Sequence, residues 1–239
     1  MIITLDGPAG AGKSTVAKEL AARLTERGPI PFEYLDTGSM YRAIALLGIR
    51  KDVDWSDPES LVSLAGQATI DVVCGRTFLN GEDVTAAVRS PGVTQRTKFA
   101  ADEPRIREMM VDLQRRIAER LAEKGKGLVT EGRDQGSAVF PNAAVKIWLT
   151  ATPEERARRR LGEMRQRGEQ GDYQEILERI IERDHRDAAR TVDPMCRPEG
   201  SVFLETDGMD IDAVLGRLIA FIPNTLFYTM NGVELSFFE

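Results

Sequence analysis

The first apolar run of the chain, Ile2, Ile3 and Leu5, is short and stops at a glycine-rich turn, after which Ala17, Leu20, Ala21 and Leu24 recur at helical spacing. That reads as strand, loop and helix in direct succession. The same change of period repeats downstream. FEYLD (32–36) runs into a predicted helix from about Ser39 to Leu47, and GLVTE (127–131) follows a long predicted helix from about Pro104 to Glu123. VKIWL (145–149) leads into TPEERARRR, and SVFLET (201–206) leads into a last helix near Asp212 to Phe221. Continuous apolar strands alternating with helices predict an α/β fold, with a parallel sheet covered on both faces.

One stretch breaks this rhythm. TIDVVCGRTFLNGEDV (69–84) alternates at period two, with turn signals at Gly75-Arg76 and Asn80-Gly81. It predicts a small antiparallel sheet inserted at one edge of the core. Asn231-Gly232, inside LFYTMNGVELSFF, predicts a C-terminal hairpin.

Composition narrows the class. The chain has 239 residues, 42% hydrophobic and 29% charged, which fits one large globular domain with a subdomain. A net charge of −6 argues against long nucleic acid as a partner. Cys74, Cys196 and the single His185 show no metal-ligand spacing, which speaks against a disulfide framework or a Cys/His zinc site. No apolar run approaches the roughly 20 residues of a membrane helix. The chain begins directly with a strand, so the expected location is the cytoplasm, without a membrane partner.

The chemistry starts at LDGPAGAGKSTVA (5–17), where Gly7, four residues, Gly12, Lys13 and Ser14 match a phosphate-cradling loop. Gly7, Pro8, Ala9, Gly10, Ala11, Gly12, Lys13, Ser14 and Thr15 form the candidate nucleotide cradle. Glycines let backbone N–H groups converge, and the helix start beside them favours an anion. Lys13, expected at an exposed edge of the sheet, can reach the β and γ phosphates, and the Ser14 hydroxyl can hold Mg²⁺. The loop specifies phosphate without specifying the reaction.

Three other segments each allow two readings. In YLDTGSMYRA (34–43), Thr37 and Arg42 form either a second anion site or a helix cap (Thr37 or Ser39) with a solvated arginine. In EGRDQG (131–136), Glu131 either orders the water shell of Mg²⁺ or belongs to a structural turn. Arg133 and Asp134 follow at a strand's carboxyl end, where open sheets bind ligands. The third segment has two helix starts, Thr152-Pro153 with Glu155, and Asp172 with Glu175. Between 156 and 190 it holds ten arginines and no lysine, yet 151–197 balances eleven Arg against eleven Asp and Glu. Arg183, Asp187 and Arg190 share one helix face. This is either an ion-paired hairpin in solvent or a hinged lid whose arginines meet a compact anion.

Taken in order, LDGPAGAGKST, YLDTGSMYRA, NGEDVT, PRIREMMVDLQR, EGRDQGSAVFP, VKIWLTATPEERARRR and ERDHRDAAR resemble the bacterial cytidylate (CMP) kinases over roughly residues 1 to 222. The resemblance implies a P-loop nucleoside monophosphate kinase core with an inserted antiparallel sheet and a helical lid. The core would comprise 1–36, 127–150 and 200–222, the monophosphate-binding region about 37–126 with the sheet at 69–85, and the lid about 152–192. It implies transfer of the γ-phosphate of ATP, with Mg²⁺, to CMP and dCMP by an expected monomer. By matching position, Thr37, Arg42, Arg133 and Arg190 would hold the CMP phosphate. Arg107 and Asp134 would meet the cytosine, and Arg183 and Asp187 the ribose. Lid residues Arg156 and Arg160 would face the transferring phosphoryl group, with Ser14 and, through water, Glu131 on the metal.

The chain departs from the family pattern at Lys98, at Gln135, Ser137 and Ala138, and at DPMCRPEG (193–200). The tail 223–239 has no counterpart. A UMP- or shikimate-type kinase and a nucleotide-binding switch stand as alternatives. Arg107 with Asp134 and the inserted sheet weigh against the first, and the two capped, arginine-rich helices against the second.

Overall fold

β1 (Ile2–Asp6) opens the fold with Ile3 and Leu5 fully buried. The computed structural model describes residues 1–222, so the predicted hairpin at 223–239 lies outside the described residues. The loop after β1 enters α1 (Lys13–Arg27), followed by β2 (Phe32–Asp36), α2 (Thr37–Arg50) and α3 (Pro58–Gln67). The inserted sheet follows as β3 (Ile70–Val73), β4 (Arg76–Leu79) and β5 (Glu82–Asp83). α4 (Pro91–Ala101) and α5 (Pro104–Glu123) return the chain to β6 (Gly127–Gly132) and β7 (Val145–Thr150). A helical hairpin, α6 (Pro153–Gln166) and α7 (Tyr173–Ala188), precedes β8 (Val202–Glu205) and α8 (Ile211–Ala220).

The main sheet has five parallel strands in the order β2-β6-β1-β7-β8. The chain leaves β1 for β2 on one side and later crosses to β7 and β8 on the other. That reversal opens a crevice at the carboxyl end of β1. Register brings three carboxylates to this end, since Glu131 of β6 pairs with Leu5, next to Asp6, on one side and with Asp36 on the other.

Apolar periodicity covers both faces. Val16, Leu20 and Leu24 of α1 pack with Val214, Leu215 and Leu218 of α8 over Leu5, Ile147 and Leu149. Met40, Ile44 and Leu47 of α2 pack with Ile106 and Met110 of α5 over Leu35 and Leu128, and Ile70, Val72 and Leu79 of the small sheet join them. Each such side chain contributes about 1.5–3 kcal/mol on full burial. The α6–α7 hairpin, by contrast, buries only Ala157, Ile176 and Ile180 in its own cluster. Few apolar contacts and many ion pairs mark a segment that opens more readily than the core.

Two differences from the sequence pattern have local causes. The first hairpin turn is Cys74-Gly75, with φ of +50° and +72°, and Arg76 already pairs with Val73. Two positive φ angles are what a two-residue hairpin turn requires, and they move it one residue earlier than Gly75-Arg76. α3 and α4 carry no apolar period that the sequence pattern would reveal. Each buries only two apolar side chains, Leu61 and Ala65 in α3 and Val93 and Ala100 in α4, too few to show a period. Their start signals, Asp57-Pro58 and Ser90-Pro91, are present.

Candidate active site

The phosphate loop owes its shape to its glycines. Gly7, Gly10 and Gly12 sit at φ +147°, +79° and +87°. A Cβ on Gly7 would collide with the Leu149 carbonyl oxygen of the neighbouring strand. α1 begins at Gly12 without a side-chain cap, which leaves its first N–H groups for an anion.

Lys13 corrects an expectation. It is 5% exposed and lies inside the loop rather than at an open sheet edge, with Nζ donating to the Pro8 carbonyl at 2.8 Å. The loop folds back over its own lysine. Burial, with repulsion from Arg133, pushes the ammonium down to about 7. Beside it Ser14 Oγ donates to Glu131 Oε1 at 2.6 Å. Thr15 is exposed on α1. Asp6, just before the loop, accepts from the Gln135 and Gly136 amides at 2.7 Å each. Burial nevertheless raises its carboxyl to about 7.

The cap of α2 is Asp36, not Thr37 or Ser39. Its Oδ1 accepts from Ser39 N at 3.0 Å and its Oδ2 from Arg42 at 2.8 Å. A strand-end carboxylate is a stronger acceptor for free helix amides than a hydroxyl one residue later. Thr37 Oγ1 instead donates to the Glu131 carbonyl at 2.8 Å. Arg42 is thereby held at the crevice, and its Nε is buried without a partner.

Asp187, on α7, is the hub of three arginines. It is 1% exposed, accepts from Arg133 at 2.9 Å and Arg190 at 2.7 Å, and lies 3.8 Å from Arg183. Burial pushes its carboxyl up, but the three arginines outweigh burial and hold it below the usual range. Arg190 also donates to Asp102 at 2.8 Å, which ties the end of α7 to the end of α4.

At the far end of the crevice, Arg107 is 2% exposed and pairs with Asp134, which is also buried. Its Nη1 donates to the Ala101 carbonyl at 3.2 Å, its guanidinium lies 5.8 Å over the Tyr41 ring, and its Nε has no partner. Gln135 stands behind the pair, donating to Asp134 at 3.4 Å and to Gln114 at 3.0 Å. Lys98 turns outward, its Nζ 5.2 Å over the Phe99 ring.

The two arginines of α6 expected at the transferring phosphoryl group part company. Arg156 is 3% exposed and lies against the phosphate loop, donating to the Ala9 and Ala151 carbonyls at 2.9 Å each. Arg160 is exposed and pairs with Glu163 at 3.1 Å. The two are one helical turn apart, and only the first-turn residue finds partners in the phosphate loop. Sequence reasoning missed Arg159, which binds Thr206 and reaches the α1 start beside Gly12. It also missed Asp184, which pairs with Arg156 at 2.6 Å and accepts from Ala9 N at 3.3 Å. Arg159 sits inside a run of three arginines, where no spacing signal singles it out. Asp184 is one of eleven acids in a neutral segment.

Among the described residues, no helix is long and apolar enough to cross a membrane.

A phosphate loop at the switch point of a parallel sheet, faced by a second arginine cluster, defines a phosphotransferase of the nucleoside monophosphate kinase class. The family model described as Cytidylate kinase matches residues 3–224. The chain belongs to the cytidylate kinase family. It is 43% identical over 216 residues to a cytidylate kinase of Caldanaerobacter subterraneus subsp. tengcongensis, covering 90% of this chain and 92% of the relative. It is 42% identical over 222 residues to that of Rhodopirellula baltica, covering 93% and 92%. Among solved structures, a shikimate kinase from Bacteroides thetaiotaomicron is similar at 16% identity with a TM-score of 0.43, covering 92% of this chain and 96% of that one.

Proposed function

We propose that the reaction is transfer of the γ-phosphoryl group of ATP to CMP and dCMP, giving CDP and dCDP. The observation that carries this reading is the buried Arg107–Asp134 pair with the unpartnered Arg107 Nε. A carboxylate only accepts and a guanidinium only donates. Cytosine offers a donor amine at C4 and acceptors at N3 and O2, which match both groups. Uracil reverses the first two, so its O4 would face the carboxylate.

The remaining roles follow from charge and position. Arg42, with its buried free Nε, accepts the monophosphate together with Thr37, Arg133 and Arg190. Arg183 and Asp187 meet the ribose. An oxygen of the acceptor phosphate forms a bond to the γ-phosphorus as the bond to the β–γ bridging oxygen breaks, and ADP leaves with that electron pair. The acceptor is already an anion, so positioning and charge stabilisation replace a strong base. Lys13 and Arg156 stabilise the developing charge, and Arg160 joins them on closure of the α6–α7 lid. Ser14 and Glu131, 2.6 Å apart, fit a divalent cation that arrives with the nucleotide. They would hold Mg²⁺, Glu131 through a water, and the cation would supply positive charge to offset that of the phosphates.

The test is a panel of CMP, dCMP, UMP, AMP and GMP in one ATP-consumption assay. CMP and dCMP are expected to give the highest kcat/KM. Faster turnover of UMP or AMP, or no ATP-dependent turnover, overturns the reading.

A further inference from the structure

Between α7 and β8 the chain turns at Asp193, with φ +47°. Positive φ is uncommon for any residue with a side chain, and Pro194, next in the chain, restricts residue 193 further. Asp and Asn are among the few that tolerate it. Such an outlier persists only where its surroundings hold it. One anchor is visible, since Met195 N donates to the Asp187 carbonyl at 2.9 Å. The consequence is that Asp193 Oδ2 comes 3.3 Å from Arg107 Nη2, the same nitrogen that meets Asp134. Among the described residues, Arg107 is the only cation within ion-pair distance of Asp193. Two carboxylates from separate segments therefore converge on one planar amino group.

We propose that Asp193 is a further specificity-determining residue for the base, a proposal that rests on the reading of Arg107 and Asp134 as the base end of the site. The amine at C4 of cytosine is the same kind of group as the guanidinium Nη2, planar with two N–H donors. Asp134 accepts one of them and Asp193 the other. The O4 of uracil in that place faces two anions and receives no hydrogen, which is the arrangement that discriminates most strongly in a dry pocket. The side chain is 27% exposed, so the strap carrying it forms one wall of the base pocket instead of its floor.

The experiment measures kcat/KM for CMP, dCMP and UMP, and KM for ATP, in wild type, Asp193→Asn and Asp134→Asn. Asparagine keeps the size and tolerates the positive φ. Asp193→Asn is expected to narrow the CMP/UMP ratio at least fivefold through the KM of the pyrimidine nucleotide, with KM for ATP unchanged. A narrowed ratio in Asp134→Asn with a fixed ratio in Asp193→Asn overturns the role of Asp193 and leaves the base reading intact. A fixed ratio in both variants overturns the base reading and the proposal with it. Equal losses for CMP and UMP in Asp193→Asn make the residue a structural clamp on Arg107 and also overturn the proposal. Should Asp193→Asn fold poorly, Asp193→Gly, which relieves the backbone, is expected to give the same narrowing.

Discussion

The Nζ of Lys13 donates to the carbonyl of Pro8 at 2.8 Å, so the loop's own backbone holds the cation at the place where phosphates bind. Lys13→Ala is therefore expected to keep the fold, since the side chain packs against polar loop atoms and not in either apolar cluster. Turnover should fall by at least two orders of magnitude. Loss of one preorganised donor costs about 3–4 kcal/mol of transition-state stabilisation. Melting curves and kcat on one preparation check this, and near-wild-type kcat would remove Lys13 from the chemistry.

The buried ammonium makes nucleotide binding proton-linked. Its value of about 7 lies below the ordinary 10.5 because burial disfavours the charged form, Arg133 and Arg183 add repulsion, and Glu131 and Asp6 offset part of it. A lowered folded value means that the stability Lys13 contributes is present above pH 10.5 and lost as pH falls through 7. Lys13→Ala should therefore melt higher than wild type at pH 6 and approach it at pH 10. Bound phosphates reverse the balance and favour the ammonium. At pH 8, above the lowered value, ATP binding should take up protons. At pH 6 uptake from this group should be smaller. Calorimetry in buffers of different ionisation enthalpy reads the number, and pH-independent uptake would show that Lys13 is charged before ATP arrives.

The split between Arg156 and Arg160 gives a direct comparison. Arg156 is sealed against Ala9 and paired with Asp184, while Arg160 meets only Glu163 in solvent. An exposed i,i+3 pair contributes about 0.2–1 kcal/mol. Arg160→Ala should lower kcat by about tenfold, because Arg160 meets the transferring group only once the α6–α7 hairpin has closed, and Arg156 stays in place. Arg156→Ala should lose a hundredfold or more, because it uncovers the loop and leaves Asp184 unpaired. A larger loss at Arg160 would place the working arginine one turn further along α6.

Much of this site is legible in the sequence. The strands 32–36 and 145–149 stand out because each is a short apolar run leading into a helical period, and the helix start at Pro104 because a proline opens a long apolar period that buries Ile106, Met110 and Ile117. The phosphate loop stands out because backbone geometry demands glycine at fixed places. What the sequence concealed was partnership. Asp36, rather than Thr37, caps α2 because the choice depends on where β2 ends. Lys13 is buried because the loop folds over it, which spacing does not encode. Asp193 reaches Arg107 across 86 residues through a single backbone angle, and Asp184 and Asp187 look alike in ERDHRDAAR, yet one meets the phosphate loop and the other the arginine hub.

Asp187 carries the most divided expectation. A carboxylate offers about four acceptor positions, and Arg133, Arg190 and Arg183 already surround it. That leaves room for one sugar hydroxyl. Asp187→Asn should act twice. Removing the anion from three arginines lowers stability whatever the substrate, and breaking a buried pair costs about 3–5 kcal/mol, read as a melting-temperature drop of several degrees. It should also lower kcat/KM for CMP more than for dCMP, because only CMP presents a 2′-hydroxyl and a hydrogen bond to a charged group contributes about 1.5–3 kcal/mol. The CMP/dCMP ratio of the variant, measured at a temperature where both proteins are folded, separates the two effects. A ratio equal to that of wild type with a lowered melting temperature would make Asp187 the hub of the arginines and nothing more, and would pass the ribose contact to Arg183, whose side chain is 45% exposed.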